Sequence, residues 1–314
     1  MPIHDSFLAS FIPMLLYLIL LWRMDKNEKE PFLFLSVHFL WGATGAIILG
    51  IGGTYLINFA LPTVLKSHQL LQIMLIAPVC EETAKGLFIV FSARSKHFDN
   101  ITDGLVYGGA IGLGFGMTEN FFYLVGYGSS FQSWFYIVIV RSLFSSVMHC
   151  IATGSFGALL GLAKFSSRFS KRTLPAAGLL IAIMIHFIWN SSVSFEDTYL
   201  LGFLFIIACI AAFLLIFKLS IRDENKIIEK ELLEECRYGS IPESYVKILA
   251  SSKRFKHGWI DEKVRRKYYR TAIRLAFSRH QAKNTIGSLR EYYNDEIERN
   301  RKIIGRLNTE KQVI

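Results

Sequence analysis

The sequence predicts an all-α polytopic membrane protein, a bundle of about seven transmembrane helices followed by a cytoplasmic helical tail. Two observations carry this reading. Hydrophobic residues make up 52% of the 314-residue chain and the mean hydropathy is +0.35, above the balance of a soluble domain. Apolar runs near the ~20 residues that span hydrocarbon occur at 6–22, 32–61, 69–93, 101–126, 131–163, 174–193 and 199–217.

The first run has no basic stretch before it and no small-x-small site at its end, so it reads as a retained span rather than a cleaved signal. The second and fifth runs, 30 and 33 residues long, are longer than the hydrocarbon is thick and must tilt, kink or project. With seven spans, one set of connections carries Arg23, Lys26, Lys29, Arg94, Lys96, Lys164, Arg168, Lys171 and Arg172, and the opposite set carries only Lys66. Basic loops stay in the cytoplasm. The N-terminus is therefore expected outside and the C-terminus inside.

From Lys218 the composition changes to 23 Lys/Arg against 14 Asp/Glu, which supplies +9 of the chain's +10 charge. The expected division is a transmembrane bundle over 1–217 and a basic cytoplasmic tail over 218–314. The tail segments RDENKIIEKELLEECRYG and DEKVRRKYYRTAIRLAFSRHQAKN read as amphipathic helices punctuated by Gly239 and Pro242. A small helical domain with solvated charges explains them. Adsorption to anionic lipid is the second option, and nucleic acid is not expected because no recognition motif accompanies the charge. Cys80, Cys150 and Cys209 lie within spans as small hydrophobes, and no pair invites a disulfide.

Ionisable groups at membrane depth are costly and mark interior or wet sites. This chain carries Glu81, Glu82, Lys85, Glu119, His149 and His186 there, with Arg141 and Asn190 nearby. At 1.5 Å per residue, the third to sixth spans bring these groups to one layer, at the centre or in the outer half of the membrane. A common cavity is the economical inference.

Local spacing supports it. Lys85 stands i+4 from Glu81 and i+3 from Glu82, within reach of either carboxylate. Pro78 is expected to kink the third span just before the acids. His186 and Asn190 stack at i,i+4, and Gly104, Gly108, Gly112 and Gly116 form a ridge that admits a close neighbour before Glu119. Each feature has a plainer explanation: ion pairing for the Glu81, Glu82 and Lys85 group, interhelical hydrogen bonding for His149, packing for the glycines. His38 reads as an interior histidine outside the site. Arg141 either snorkels outward or balances a carboxylate.

EETAK, FGMTE, HCIATG and HFIWN, in that order on successive spans, resemble the PrsW family of bacterial intramembrane proteases and, more distantly, the CAAX-processing and bacteriocin-immunity superfamily. DKNEKEP before the second span resembles that family's acidic-proline loop. The resemblance covers about residues 15 to 195 and leaves the tail without a counterpart. In the wider superfamily the first motif usually ends in Arg one residue later and the second in His. The forms found here favour the PrsW branch. The resemblance implies cleavage of a membrane-anchored protein within or next to the bilayer of a bacterial plasma membrane, and, in the family's best-known case, first-cut processing of a single-span anti-sigma factor.

Amide hydrolysis needs an activated water, oxyanion stabilisation and an acid for the leaving amine. In a metal version, His149, His186 and one glutamate, with Glu119 the candidate, hold Zn²⁺ while a second glutamate acts as base. In a metal-free version a glutamate of EETAK and His149 position the water, and His186 and Asn190 donate to the oxyanion. Glu81 and Glu82 lie about 100° apart on a helix, so one is expected to do chemistry while the other pairs with Lys85 or holds substrate. Two other classes stay open: a proton- or ion-coupled transporter, against which no internal repeat is found, and a receptor or scaffold working through its basic tail.

Overall fold

The computed structural model describes residues 2–164 and 166–309, and among these every regular element is helical. The chain divides into two compact units: one built from residues up to Asp25 and Lys29–Phe217, the other from Lys26–Glu28 and the chain from Lys218 onward.

The first unit contains α1 (Ile3–Met24), α2 (Phe32–Ala60), α3 (69–92), α4 (Ile101–Tyr127), α5 (Phe131–Lys164), α6 (Arg168–Val193) and the first half of α7 (Tyr199–Cys236). Five of these, all but α3 and α4, are long and apolar enough to cross a membrane by themselves. The other two are the helices that carry the acids: α3 contains Glu81, Glu82 and Lys85, and α4 contains Asp103, Glu119 and seven glycines. Large apolar side chains such as Leu20, Leu33, Phe59 and Leu201 face outward, as lipid-facing residues do.

The ridge on α4 lies against α5 backbone to backbone. A Cβ at Gly104 would fall 2.0 Å from the Gly157 carbonyl oxygen, at Gly108 2.3 Å from that of Thr153, and at Gly112 2.2 Å from that of His149. Glycine is obligatory at such an approach. One turn beyond, Gly116 faces Ser146, and Glu119 follows on the same side as His149. α4 itself starts at a reciprocal capping box between Asn100 and Asp103.

Three single-turn π segments interrupt the long helices: Gly42–Ala46 in α2, Gln72–Ile76 in α3 and Arg141–Ser145 in α5. The second lies immediately before Pro78, whose missing N–H removes a rung of the helical ladder. Such widened turns re-aim the following residues. His38 is fully buried, donates to the Phe34 carbonyl at 2.7 Å and stacks on Tyr107 with ring centroids 4.4 Å apart, an interior histidine away from the acids. Glu30 of the acidic-proline loop is buried and accepts from the Tyr107 hydroxyl.

The second unit has its own apolar core, with Ile228, Leu232, Leu249, Tyr268, Ala272, Leu275 and Ile304 from α7, α8 (Glu243–Leu249), α9 (Glu262–Asn284) and α10 (Ser288–Thr309). Glu231, Glu234 and Glu235 at the end of α7 converge on Arg279, Lys283 and Arg301, with Arg279 to Glu234 at 2.6 Å and Arg301 to Glu235 at 2.7 Å. Burial alone would raise the Glu235 carboxyl; hydrogen bonding from Arg301 and the charges of Arg279 and Arg301 hold it below the usual carboxylate range.

Three outcomes are expected. Gly108→Leu has only backbone to displace and should destabilise the bundle by about 3 kcal/mol or more, read as a lowered thermal midpoint in detergent. Gly126→Ala, with open space at its Cβ, should leave that midpoint unchanged. In the second unit, a carboxyl depressed in the folded state stabilises above its unfolded pKa of about 4.3 and loses that contribution as pH falls through the lower folded value. Hydrogen-exchange protection of Glu262–Asn284 should therefore fall on acidification below that range, and less steeply in Glu235→Gln.

Candidate active site

The polar residues of α3, α4, α5 and α6 meet in one layer. Lys85, Glu82, His149 and His186 are each at most 2% exposed, whereas the Glu81 and Glu119 side chains keep 19% and 22% of their surface open. The first four form the buried wall of the site and the last two its open face.

Lys85 Nζ lies 2.7 Å from Glu82 Oε1, 2.8 Å from His149 Nδ1, 3.9 Å from Glu81 Oε2 and 3.8 Å from the centroid of the Phe115 ring. An ammonium only donates. It therefore takes the lone pair of His149 Nδ1, and His149 Nε2 carries the proton that Glu119 Oε2 accepts at 2.7 Å. Glu82 is saturated from the other side: Thr153 donates to it at 3.1 Å and His186 Nδ1 at 3.0 Å. With its Nδ1–H committed to a carboxylate, His186 keeps a bare Nε2 lone pair, 3.9 Å from Glu81 Oε2. The two imidazole planes stand at 89° with centroids 4.7 Å apart.

Of the adjacent pair in EETAK, Glu82 is the one that neutralises Lys85 and orients His186, and Glu81 is the one with a buried oxygen, Oε2, that has no hydrogen-bond partner. That oxygen and one nitrogen from each of His149 and His186 lie within 4.8 Å of one another. Glu81 Oε2 and His186 Nε2 are placed to hold a divalent transition ion as they stand, whereas His149 would first release Lys85 or Glu119. Glu119, the carboxylate ligand expected from the sequence, sits 2.7 Å from Arg141 Nη2 and 2.7 Å from His149 Nε2.

Arg141 thus balances a carboxylate rather than snorkelling. It stacks 3.7 Å above the Tyr123 ring, and its Nε donates to Asn120 Oδ1 at 3.0 Å. Asn190, expected as an oxyanion donor, gives its Nδ2–H to the Ile73 carbonyl at 2.9 Å and so holds α6 against the π turn of α3. Sequence reasoning passed over Asn120, Tyr123, Tyr136, Thr153 and Tyr199. Thr153 and Tyr123 each stand four residues after a named site residue, His149 and Glu119, and the i+4 rule is the signal that finds them.

A cavity of about 550 Å³ opens onto Glu81, Glu119, Arg141, His149 and His186. It continues past Tyr136 and Asn190 to Gln69, Ser194 and Tyr199, at the end of the unit where helices join through 61–68 and 194–198. Carboxylates, imidazoles and a guanidinium thus meet at an open cavity within a bundle of apolar helices, the kinds of group that hydrolysis draws on.

Residues 30–217 match the model of the PrsW family, described as intramembrane metalloproteases, and the chain belongs to that family. It is an intramembrane protease. Protease PrsW of Clostridioides difficile strain 630 is 26% identical over 190 residues, 59% of this chain and 78% of that protein. Protease PrsW of Bacillus subtilis strain 168 is 31% identical over 107 residues, 34% of this chain and 46% of the relative. Protease PrsW of Geobacillus kaustophilus is 26% identical over 184 residues, 58% of this chain and 76% of the relative. No solved structure gives a significant match.

The enclosure of Lys85 generates a prediction. Lys85→Met leaves the Glu82 carboxylate buried without its cation and should cost about 3–5 kcal/mol, seen as a depressed thermal midpoint. The double variant Glu82→Gln/Lys85→Met should recover most of that stability without recovering proteolysis, because His186 then lacks its orienting carboxylate.

Proposed function

We propose that the protein is an endopeptidase that cuts a membrane-anchored protein within or next to the bilayer of a bacterial plasma membrane, with Zn²⁺ held by Glu81, His186 and His149, the last exchanging its hydrogen bond to Lys85 or to Glu119 for the ion. The observation that carries the metal reading is the unpartnered Glu81 Oε2 facing the bare Nε2 of His186. When bound, such an ion would make its water more acidic and polarise a carbonyl.

The chain's own residues supply the rest. Glu119 is open to the cavity and fixed by Arg141, so it takes the proton from the attacking water and passes it to the leaving amine. Arg141 and the phenol of Tyr199 line the same cavity and offer donors to the developing oxyanion. Glu82 does not touch substrate. It is a positioning residue that fixes the His186 tautomer and neutralises Lys85. In the proposed orientation the C-terminal unit is cytoplasmic, and the water cavity opens toward the outer face. The substrate class suggested by the family resemblance is a single-span regulatory protein of the anti-sigma type.

A metal-free reading is favoured by a different observation: both nitrogens of His149 are engaged, one by Lys85 and one by Glu119. Those contacts make a continuous proton relay, with Glu81 left to position the water.

The two readings part in one experiment. Purified protein in detergent is offered a panel of single-span membrane proteins, with wild type beside Glu81→Gln, Glu119→Gln and His149→Ala, and with bound metal counted by elemental analysis. The expected result is one zinc per chain, lost in His149→Ala, and cleavage that falls at least about 100-fold in each variant and on chelation, and returns with added Zn²⁺. Cleavage that resists chelation but needs Glu119 and His149 would establish the metal-free relay. Cleavage that survives all three substitutions would overturn both.

A further inference from the structure

Glu81 and Glu119 face two cavities. The second, about 420 Å³, shares Ala77, Glu81 and Glu119 with the 550 Å³ cavity but is otherwise walled by different residues, from α2 and α4. Its walls are mostly apolar, from Ile47, Ile51, Tyr55, Phe115 and Phe122, and its outer rim is exposed: Ile51 by 63%, Tyr55 by 74% and Phe122 by 54%. In a bundle whose outward face meets lipid, this groove opens sideways into hydrocarbon.

The groove is bounded and shaped. At one end Asn58 of α2 and Gln72 of α3 exchange amide hydrogen bonds at 2.9 and 2.7 Å, and toward the other Thr118 of α4 donates to the Ala43 carbonyl at 2.8 Å. Between these ties α2 turns a thin face toward the acids. A Cβ at Gly50 would lie 3.4 Å from Glu81 Cγ, and one at Gly53 3.4 Å from Cys80 Sγ. Thr54 and Asn58 continue the Gly50 line at i+4 intervals and add polar groups to the groove.

We infer that this groove is where the substrate lies, its apolar side chains in the slot between α2 and α4 and its scissile carbonyl at Glu81 and Glu119. Hydrolysis brings water and peptide to the reacting carbonyl from different directions. The cavity that reaches Gln69, Asn190 and Ser194 is the polar one and supplies water; the groove that opens to lipid supplies the polypeptide. A lipid tail would fill the apolar part but gains nothing from two carboxylates, a threonine and an amide, whereas an unwound peptide has N–H groups to offer them. The slot therefore selects substrates with aliphatic or aromatic residues beside the cut. This inference rests on the protease reading and adds the entry route and the side-chain preference.

The test uses the full chain in lipid nanodiscs, a photoreactive p-benzoylphenylalanine placed in turn at Ile51, Phe122, Tyr136 and Leu20, and Glu119→Gln as a background that holds substrate uncut. The probe is a biotinylated single-span peptide of leucine and alanine. Adducts with the peptide are expected at positions 51 and 122, and none at 136 in the water cavity or at 20 on the lipid-facing side of α1. Peptide adducts at 136 alone, or only lipid adducts at 51 and 122, would overturn the inference. In the otherwise wild-type chain, Ile51→Trp should raise KM about tenfold with kcat nearly unchanged, the pattern of lost substrate binding; a fall in kcat at unaltered KM would also overturn it. Failure of the protease reading is separate: wild type would cut no member of the single-span panel, whatever the adduct pattern.

Discussion

The ammonium of Lys85 is the constraint around which the first unit is arranged. A cation with no exposed surface costs several kcal/mol to desolvate unless every direction is answered, and here each one is: Glu82 from its own helix, His149 from α5, the Phe115 ring from α4, and Glu81 at longer range. Answering it fixes other things. Glu82 can serve Lys85 only by turning inward, which brings it to His186 and Thr153 and leaves Glu81 to face the cavities. His149 can serve it only through Nδ1, which commits Nε2 to Glu119. The division of labour between two neighbouring glutamates, and the tautomers of two histidines, thus follow from where one positive charge is buried.

That arrangement requires helices closer together than side chains normally permit. The backbone contact of α4 with α5 brings Glu119 and His149 to 2.7 Å although they come from different spans. The π turns serve the same end by other means. The one in α3 rotates the acids after Pro78 and presents the Ile73 carbonyl to Asn190, and the one in α5 starts at Arg141, which reaches across to Glu119. Close packing and widened turns both convert long apolar helices into a support for polar groups.

The layer itself was legible in the sequence, because depth along a membrane helix is only residue count times rise. The span limits place Glu81, Glu119, His149 and His186 at one height, and their side chains meet. Rotation about each helix axis was not legible. The spacing of Lys85 from Glu81 and Glu82 allowed either pairing, and only the packing of α5 and α6 against α3 turns Glu82 inward. Asn190 shows the same limit: its i+4 relation to His186 was plain, but its partner is a carbonyl in a π turn that no local pattern announces. Arg141 was ambiguous because the arginine and Glu119 lie on different helices, 22 residues apart, and their meeting depends on the glycine ridge.

The polarity of α3 and α4 bears on how the protein is made. A segment leaves the insertion channel for lipid when its own transfer free energy favours it. Five helices of the first unit satisfy that by themselves, whereas the two that carry the acids depend on company. For α4 the company is α5, since the ridge of Gly104, Gly108 and Gly112 has no surface to offer lipid but fits that helix closely. Membrane entry of the acid-bearing spans is therefore coupled to the arrival of later ones. Because the imidazoles are delivered by those same later helices, a chain caught half-way through biogenesis holds its glutamates without their partners.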